Sequence, residues 1–274
     1  MRVAALQMTS GPEVAANLAQ AGELLEEASR EGARLAALPE NFSFMGLRDA
    51  DKRAAAEADG EGPVQEFLAA SARRLKLCIV GGTIPLEGGA DGRVAAASLV
   101  YDAEGARVAR YDKIHLFDVD IPDRAEIYRE SANVAAGTRA AVIDTPAGRL
   151  GLSVCYDVRF PELYRHLSAA GAQLLSVPSA FTAPTGRAHW ETLLRARAIE
   201  NLCYVIAPAQ SGIHPSGRET YGDSMIVDFW GRILKRVPRG RGCAVAEVDL
   251  ARQSAVRESF PALRHRAFTG NAHP

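Results

Sequence analysis

The chain contains the sequence Gly151-Leu-Ser-Val-Cys155-Tyr-Asp-Val-Arg-Phe-Pro-Glu162, in which an apolar strand pattern ends at a cysteine. Pro161 marks the start of a helix, because proline is favoured in the first turn of helices. A thiol at a turn between a strand and a helix is well placed to act as a nucleophile. The stretch therefore predicts a strand, a sharp turn that carries Cys155, and a helix.

The same alternation continues towards the amino terminus. Strand-like runs at 3–8, 35–38 and 77–82 alternate with helical stretches near 13–31 and 63–75. This order of elements is typical of an α/β fold.

Hairpins dominate the rest of the chain. Asp102, Asp144 and Asp228 each open a turn that a glycine closes, between two apolar runs. Three similar hairpins predict sheets extended by antiparallel strands, with internal pseudo-symmetry. Helices are expected near 161–170 and 188–201.

Length and composition favour one domain. The chain has 274 residues, 47% of them hydrophobic, which is enough for a large core. No linker-like stretch divides it, so we expect a single domain over 1–274. The segment 259–274 mixes apolar and basic residues, and we expect it to pack at a subunit interface or to fray.

Charge and hydropathy exclude several classes of partner. The 32 Lys and Arg residues nearly balance the 33 Asp and Glu residues, unlike the basic surface of a protein that binds nucleic acid or anionic membranes. No apolar run approaches the length of a membrane span, and the apolar part of the first eight residues is shorter than the hydrophobic region of a signal peptide. We expect a cytoplasmic protein that acts on a small molecule.

The spacing of the cysteines and the absence of three common motifs argue against several kinds of site. The four cysteines lie far apart, without the C-x-x-C spacing of zinc sites, and a reducing compartment disfavours disulfides. The chain has no G-x-S-x-G, H-E-x-x-H or P-loop motif, and the glycine-rich pieces at 88–92 and 239–242 are interpreted as surface turns.

Two charged residues also end strand patterns. Glu40 follows Leu35-Ala-Ala-Leu-Pro, and the apolar loop 41–46 would bury it, which suits a general base. Lys113 ends a second strand, and a cation near Cys155 would favour the thiolate. Each residue also has an ordinary interpretation. Glu40 could be a solvated carboxylate, Lys113 could prevent the edge of a sheet from pairing with another strand, and Cys155 could be a small buried thiol.

Three blocks decide between these interpretations. The sequences at 38–42 (Leu-Pro-Glu-Asn-Phe), 111–118 (Tyr-Asp-Lys-Ile-His-Leu-Phe-Asp) and 155–162 resemble, in order, the signature blocks of the nitrilase superfamily of carbon-nitrogen hydrolases. The resemblance implies a catalytic triad of Glu40, Lys113 and Cys155. It also implies the four-layer α-β-β-α sandwich of the nitrilase type, assembled as a homodimer or a larger homo-oligomer.

The resemblance implies further roles around this triad. Glu130 matches a glutamate that either assists catalysis or orients Lys113 through an ion pair. The backbone N–H of Tyr156 would hold the oxyanion together with Lys113. Proximity to the motifs marks four candidates for contact with the substrate: Phe44, Arg159, Phe181 and Thr182. His115, two residues beyond Lys113 on a strand, would face the same side and support it.

The implied reaction is hydrolysis of an amide through a thioester. Cys155 would attack, Glu40 would take the thiol proton, deliver it to the leaving nitrogen and then activate water; no metal or other cofactor is required. The stretches 41–46, 113–122 and 185–200 look most similar to the branch that holds deaminated glutathione amidase and the ω-amidase of α-ketoglutaramate, and the stretch 221–228 favours the former. This resemblance implies a small carboxylate-bearing 2-oxo amide as substrate, deaminated glutathione, in metabolite repair.

Several alternatives stay open. They are an ω-amidase acting on α-ketoglutaramate, an N-carbamoyl amide hydrolase, a scaffold without activity, and a Cys-His hydrolase that uses His189 or His214. Arg187 stands where the resemblance leads us to expect proline, and a cation there would alter which carboxylates fit.

Helix and core positions are also predicted. Arg195, Arg197 and Glu200 are expected on a solvated or subunit-facing helix surface. Trp190 and Trp230 are expected in the core or at an interface.

Overall fold

The structure, a computed structural model, describes residues 1–88, 91–121 and 127–267. The α-helices in these ranges are α1 (Val14–Arg30), α2 (Pro63–Leu75), α3 (Pro161–Ala169), α4 (Ala183–Asn201) and α5 (Leu250–Ser259). The strands are β1 (Arg2–Gln7), β2 (Ala33–Ala37), β3 (Cys78–Val80), β4 (Ile84–Glu87), β5 (Val94–Tyr101), β6 (Arg107–Asp112), β7 (Asp118–Asp120), β8 (Ile127–Arg129), β9 (Val134–Ala135), β10 (Val142–Thr145), β11 (Gly148–Leu152), β12 (Leu174–Ser176), β13 (Tyr204–Ala207), β14 (Ser211–Ile213), β15 (Glu219–Tyr221), β16 (Ser224–Val227), β17 (Ile233–Val237) and β18 (Gly242–Glu247).

Two large sheets share one pattern of strand directions. The first contains the path β18-β1-β2-β3-β5-β6, in which successive neighbours are antiparallel, parallel, parallel, antiparallel and antiparallel. The path β10-β11-β12-β13-β16-β17 of the second sheet repeats that pattern. The three predicted hairpins are present, and the repeat agrees with the expected pseudo-symmetry.

Alternating side chains of β1 explain the layering. Val3 and Ala5 pack in the core that includes the second sheet, whereas Ala4 and Leu6 pack in the core that includes α1 and α2. Successive side chains of a strand point to opposite faces, so the first sheet lies between the α1–α2 layer and the second sheet. Helices α3 and α4 pack against the second sheet from its other side. The four-layer α-β-β-α sandwich is confirmed.

Helix α4 begins earlier than the sequence pattern predicts. It starts at Ala183 rather than near 188, because Pro184 fits the first turn, where backbone N–H groups need no helical partner. A β-carbon on Gly186 would lie 2.2 Å from the Cβ atom of Tyr221, so only glycine permits this close approach. The early start brings the loop before α4 towards β15.

The predicted exposure of Arg197 is wrong. The residue is 6% exposed, its Nε donates to the Val158 carbonyl at 2.9 Å, and it pairs with Glu200 at 2.8 Å. Packing of α4 against the segment after β11 therefore buries this charge with partners. Trp190 lies in the core as predicted, whereas Trp230 is 56% exposed and contacts Phe260.

Parts of two sequence predictions lie outside the described residues. These parts are 268–274 of the tail and 89–90 of the glycine-rich turn. Among the helices that are described, none combines the length and apolar character that crossing a bilayer requires.

Candidate active site

Cys155 sits on a strained turn beyond the end of β11. The backbone enters a short 3₁₀ helix, Cys155–Arg159, and Cys155 itself has a φ of 47°, in the left-handed region. Such a conformation costs on the order of 1–3 kcal/mol in a residue other than glycine. The Cys155 N–H donates to the Pro178 carbonyl at 2.8 Å, and the residue is 8% exposed. The turn thus presents a largely buried thiol.

Glu40 is buried where the chain leaves β2. It is 4% exposed, as predicted from the apolar loop that follows it. Gln210 Nε2 donates a hydrogen bond to the Glu40 carbonyl at 3.1 Å, which connects the backbone at Glu40 to the second half of the chain. A β-carbon on Gly82, whose φ is 48°, would lie 2.0 Å from the Pro39 carbonyl oxygen. Glycine at this position therefore permits the close backbone packing that places Glu40.

Lys113 follows β6 and bridges two carboxylates. Its Nζ lies 2.8 Å from Glu40 Oε1, and 3.0 and 2.8 Å from the two carboxylate oxygens of Glu130. Burial by itself would lower the pKa of Lys113, but Glu130 and Glu40 together raise it well above its ordinary value. The side chain is therefore a fixed cation at neutral pH.

Glu130 holds Lys113 in place. Its Oε2 also accepts the Phe117 backbone N–H at 2.7 Å, so both carboxylate oxygens are engaged. Burial would raise the pKa of Glu130, but Lys113 and the more distant Lys52 outweigh burial and lower it. The carboxylate stays ionised beside the Lys113 ammonium and restrains its orientation.

Lys113 favours the thiolate form of Cys155, as predicted, but burial and the Glu40 carboxylate outweigh this effect. Burial raises the pKa of Cys155, and the Glu40 carboxylate raises it further, whereas Lys113 only partly offsets both. The resting group is a neutral thiol. The Cys155 thiol consequently needs a base to take its proton during attack. Glu40 is the carboxylate close enough to raise the pKa of the thiol, so it is the candidate for this base.

A buried carboxylate, Asp157, joins the Cys155 turn to the Lys113 segment. It accepts hydrogen bonds from the Val154 N–H at 2.8 Å and the Tyr111 hydroxyl at 2.7 Å. It also accepts the His115 N–H at 3.0 Å and contacts His115 Nδ1 at 2.7 Å. The strand β6 ends at Asp112, so His115 turns to Asp157 rather than to the side of Lys113 that the sequence predicted.

We expect Asp157→Ala to destabilise the fold by roughly 3 kcal/mol or more, because it leaves several buried donors without an acceptor. Thermal unfolding followed by circular dichroism measures the change. Asp144→Ala is the matched control, since the Asp144 side chain is 87% exposed and, within the described part of the chain, forms an ion pair only with Arg149. An Asp157→Ala variant as stable as the control would contradict the bridging role.

The predicted residues meet at one cavity of about 500 Å³. Its lining includes seven predicted residues: Glu40, Lys113, Glu130, Cys155, Arg159, Phe181 and Thr182. Tyr156 also lines it, and among the described residues its backbone N–H has no hydrogen-bond acceptor, as expected in the first turn of a helix. Phe44 is not part of the lining and is buried, so its predicted contact with the substrate is not supported.

Sequence reasoning missed half of the cavity wall. The further lining residues include Asn41, Asp49, Lys52, Phe117, Tyr128, Thr185 and Arg218. Asn41 and Phe117 lie within the blocks that carry the family resemblance, so adjacency could have identified them. Lys52 and Arg218 carry no such signal, because they come from a short 3₁₀ helix and from the turn between β14 and β15.

The alternatives based on histidine and on Arg187 lose support. His214 Nδ1 contacts the Ser10 carbonyl and Nε2 contacts the Thr220 hydroxyl, both at 2.8 Å. Burial lowers the pKa of His214. His189 contacts Arg159 and, like His214, is not part of the cavity lining. Arg187 is exposed on α4 and does not line the cavity either.

Comparisons with known proteins agree with this geometry. The sequence profile described as carbon-nitrogen hydrolase matches residues 2–258. A Synechocystis protein named deaminated glutathione amidase is 47% identical over 97% of this chain and 97% of its own length.

Solved structures show the same architecture. The crystal structure of the Caenorhabditis elegans NitFhit protein has a TM-score of 0.89 and 41% identity over 97% of this chain, which spans 65% of that protein's chain. A mutant of the amidase from Nesterenkonia sp. AN1, 28% identical with a TM-score of 0.79 over 95% of this chain and 98% of that one, shows Michael addition of acrylamide at its active-site cysteine. The chain belongs to the carbon-nitrogen hydrolase family and is a hydrolase of non-peptide carbon-nitrogen bonds in amides.

Proposed function

We propose that this chain hydrolyses the amide bond of deaminated glutathione, with Cys155 as nucleophile. The observation that carries the mechanism is the convergence of Cys155, Glu40 and Lys113 at one cavity, with the Lys113 ammonium 2.8 Å from Glu40. The substrate comes from the Synechocystis relative, which is named for this amidase activity and aligns over nearly its whole length.

The first half of the reaction forms a thioester. Cys155 Sγ attacks the amide carbon while its proton passes to Glu40, which the raised pKa of the thiol requires. The Lys113 ammonium and the Tyr156 N–H stabilise the oxyanion, at about 3 kcal/mol of barrier for each donor. Glu40 returns the proton to the amine as the carbon-nitrogen bond breaks.

The second half releases the acid. Glu40 takes a proton from water as the water oxygen attacks the thioester carbon. The carbon-sulfur bond then breaks, and Glu40 returns the proton to the sulfur of Cys155, which restores both the thiol and the Glu40 carboxylate. Glu130 contributes by position: its contacts hold the Lys113 ammonium in place through both steps. The reaction needs no group beyond these side chains, the backbone N–H and water.

Arg159 is proposed to bind the carboxylate of the oxo acid. Its guanidinium lies 5.3 Å from the ring centre of Phe181 and 5.8 Å from that of Tyr156. It makes no ion pair with a carboxylate of the described residues, so its charge is available to an anion in the cavity. Phe181 and Thr182 complete this wall and are proposed to contact the acyl chain.

Product analysis tests the substrate. Deaminated glutathione should yield 2-oxoglutarate and cysteinylglycine, with kcat/KM well above that for α-ketoglutaramate, which yields ammonia, or for an N-carbamoyl amino acid. Faster turnover of α-ketoglutaramate would make the chain an ω-amidase. No turnover of any of these compounds would remove the substrate proposal and favour a scaffold role.

An exposed apolar surface is available for assembly with further copies of the chain. We propose one domain over 1–274 that forms a homodimer or a larger homo-oligomer through the apolar surface of Ile199, Trp230 and Phe260, each about half exposed. Light scattering should show at least a dimer, and a monomer at micromolar concentration would contradict it. A cytoplasmic location is proposed from the sequence, in which neither a membrane-length apolar run nor the apolar region of a signal peptide is predicted.

A further inference from the structure

The active-site cavity continues into a second cavity. This outer cavity, about 770 Å³, shares Asn41, Asp49, Lys52, Tyr128 and Arg218 with the inner cavity that contains Cys155. The residues that line only the outer cavity include Met45, Arg48 and Ser216. The triad and Arg159 line only the inner cavity. One cleft therefore has a reactive inner part and an outer part without catalytic groups.

Lys52 and Arg218 line both cavities and therefore lie at the boundary between the inner and outer parts of the cleft. Neither Lys52 nor Arg218 forms an ion pair with a carboxylate among the described residues. By contrast, Arg48 of the outer cavity already pairs with Asp51 at 3.1 Å. Asp49 also lines both cavities, so the boundary carries two cations and one carboxylate, and neither cation has a direct ion-pair partner among the described residues.

Arg218 is the better placed of the two for an anionic ligand. It donates to the Ala180 carbonyl at 3.0 Å, and its guanidinium lies 5.2 Å from the ring centre of Tyr128. Its Nε is buried, and no acceptor for it exists among the described residues. A buried donor on a charged group is costly unless an acceptor reaches it. Lys52 already acts on Glu130, whose pKa it lowers.

We propose that the outer cavity binds the amine half of the substrate and that Arg218, with Lys52, binds a carboxylate on that half. This rests on the proposed function. When the acyl carbon reacts at Cys155, the acyl half with its carboxylate fits beside Arg159 in the inner cavity. The amine half must then extend through the open side, past Lys52 and Arg218.

Deaminated glutathione has the charge distribution that this arrangement requires. One carboxylate lies on the oxo-acid half and the other on the glycine of the amine half, on opposite sides of the amide that is cleaved. α-Ketoglutaramate has only the first. Arg218 would therefore favour substituted amides with an acidic amine half over simple primary amides, because an arginine and a carboxylate can form two parallel hydrogen bonds.

Three substrates test the proposal with Arg218→Gln. These are deaminated glutathione, its analogue with a carboxamide in place of the glycine carboxylate, and α-ketoglutaramate. Wild type should prefer deaminated glutathione to the carboxamide by roughly 10- to 100-fold in kcat/KM, the usual size of a charge-assisted hydrogen bond. Arg218→Gln should lose about that factor on deaminated glutathione, chiefly through KM, and less than about threefold on the other two. Arg34→Gln, an exposed arginine on β2, is the control.

Each outcome bears on a different claim. An equal loss on all three substrates would make Arg218 structural and overturn the proposal. If Arg218→Gln does not fold, the wild-type comparison decides, because equal turnover of deaminated glutathione and its carboxamide overturns the proposal without any variant. If wild type hydrolyses α-ketoglutaramate but not deaminated glutathione, the proposed function fails as well.

Discussion

We expect Cys155→Ala to lower kcat by at least about 10⁴-fold, because no other group at the site can form the thioester. The variant should keep its fold, since the substitution removes one buried sulfur atom and leaves the turn's backbone contacts in place. Product release at high enzyme concentration and thermal unfolding measure the two effects separately.

Cys78→Ala is the matched control for this variant. Cys78 is also a buried cysteine at a strand, 2% exposed, but it lies in β3 and does not line the cavity. It should retain activity within about twofold. Substantial turnover by Cys155→Ala, with the Cys78 variant unchanged, would mean that a different nucleophile operates.

We expect Glu40→Gln to lower kcat/KM by on the order of 10³-fold, within the range for removal of a general base. The same variant should also slow alkylation of Cys155 by iodoacetamide at neutral pH. The reason is that the thiol is protonated at rest, and the amide of glutamine cannot accept its proton. Peptide mapping of the alkylated cysteine measures this rate directly.

The sign of the alkylation effect separates two mechanisms. Glu40 raises the pKa of Cys155, so removal of its charge increases the thiolate fraction at a given pH. If a preformed thiolate were the nucleophile, Glu40→Gln would therefore react faster than wild type. Glu130→Gln gives the comparison for a neighbouring carboxylate, because it loosens Lys113 but leaves the base in place, and alkylation should slow much less.

The location of the triad was predictable from the sequence for a simple reason. Glu40, Lys113 and Cys155 each follow the end of a strand, and polar residues at strand ends commonly face a cleft. Their mutual contact was not predictable from these patterns, since Glu40 follows a strand of one sheet and Cys155 follows a strand of the other. The packing of two sheets brings them together, and only the family resemblance carried that information.

The wrong and missed predictions concern tertiary contacts that sequence patterns do not encode. Helical charge patterns placed Arg197 at the surface, but a carbonyl from the neighbouring 3₁₀ helix and the Glu200 carboxylate allow its burial. Phe44 was chosen by adjacency to Glu40, yet neighbouring residues of a loop need not face the same side. Arg218 was missed because a turn between two short strands has no periodicity that marks a binding residue.

The most direct test of the mechanism is mass spectrometry of wild-type enzyme quenched with acid during turnover of deaminated glutathione. We expect a 2-oxoglutaryl group attached as a thioester to the peptide that contains Cys155, appearing before the free acid accumulates. Acylation of a different residue, or continued hydrolysis in a protein whose Cys155 is quantitatively blocked, would contradict catalysis through a thioester at Cys155.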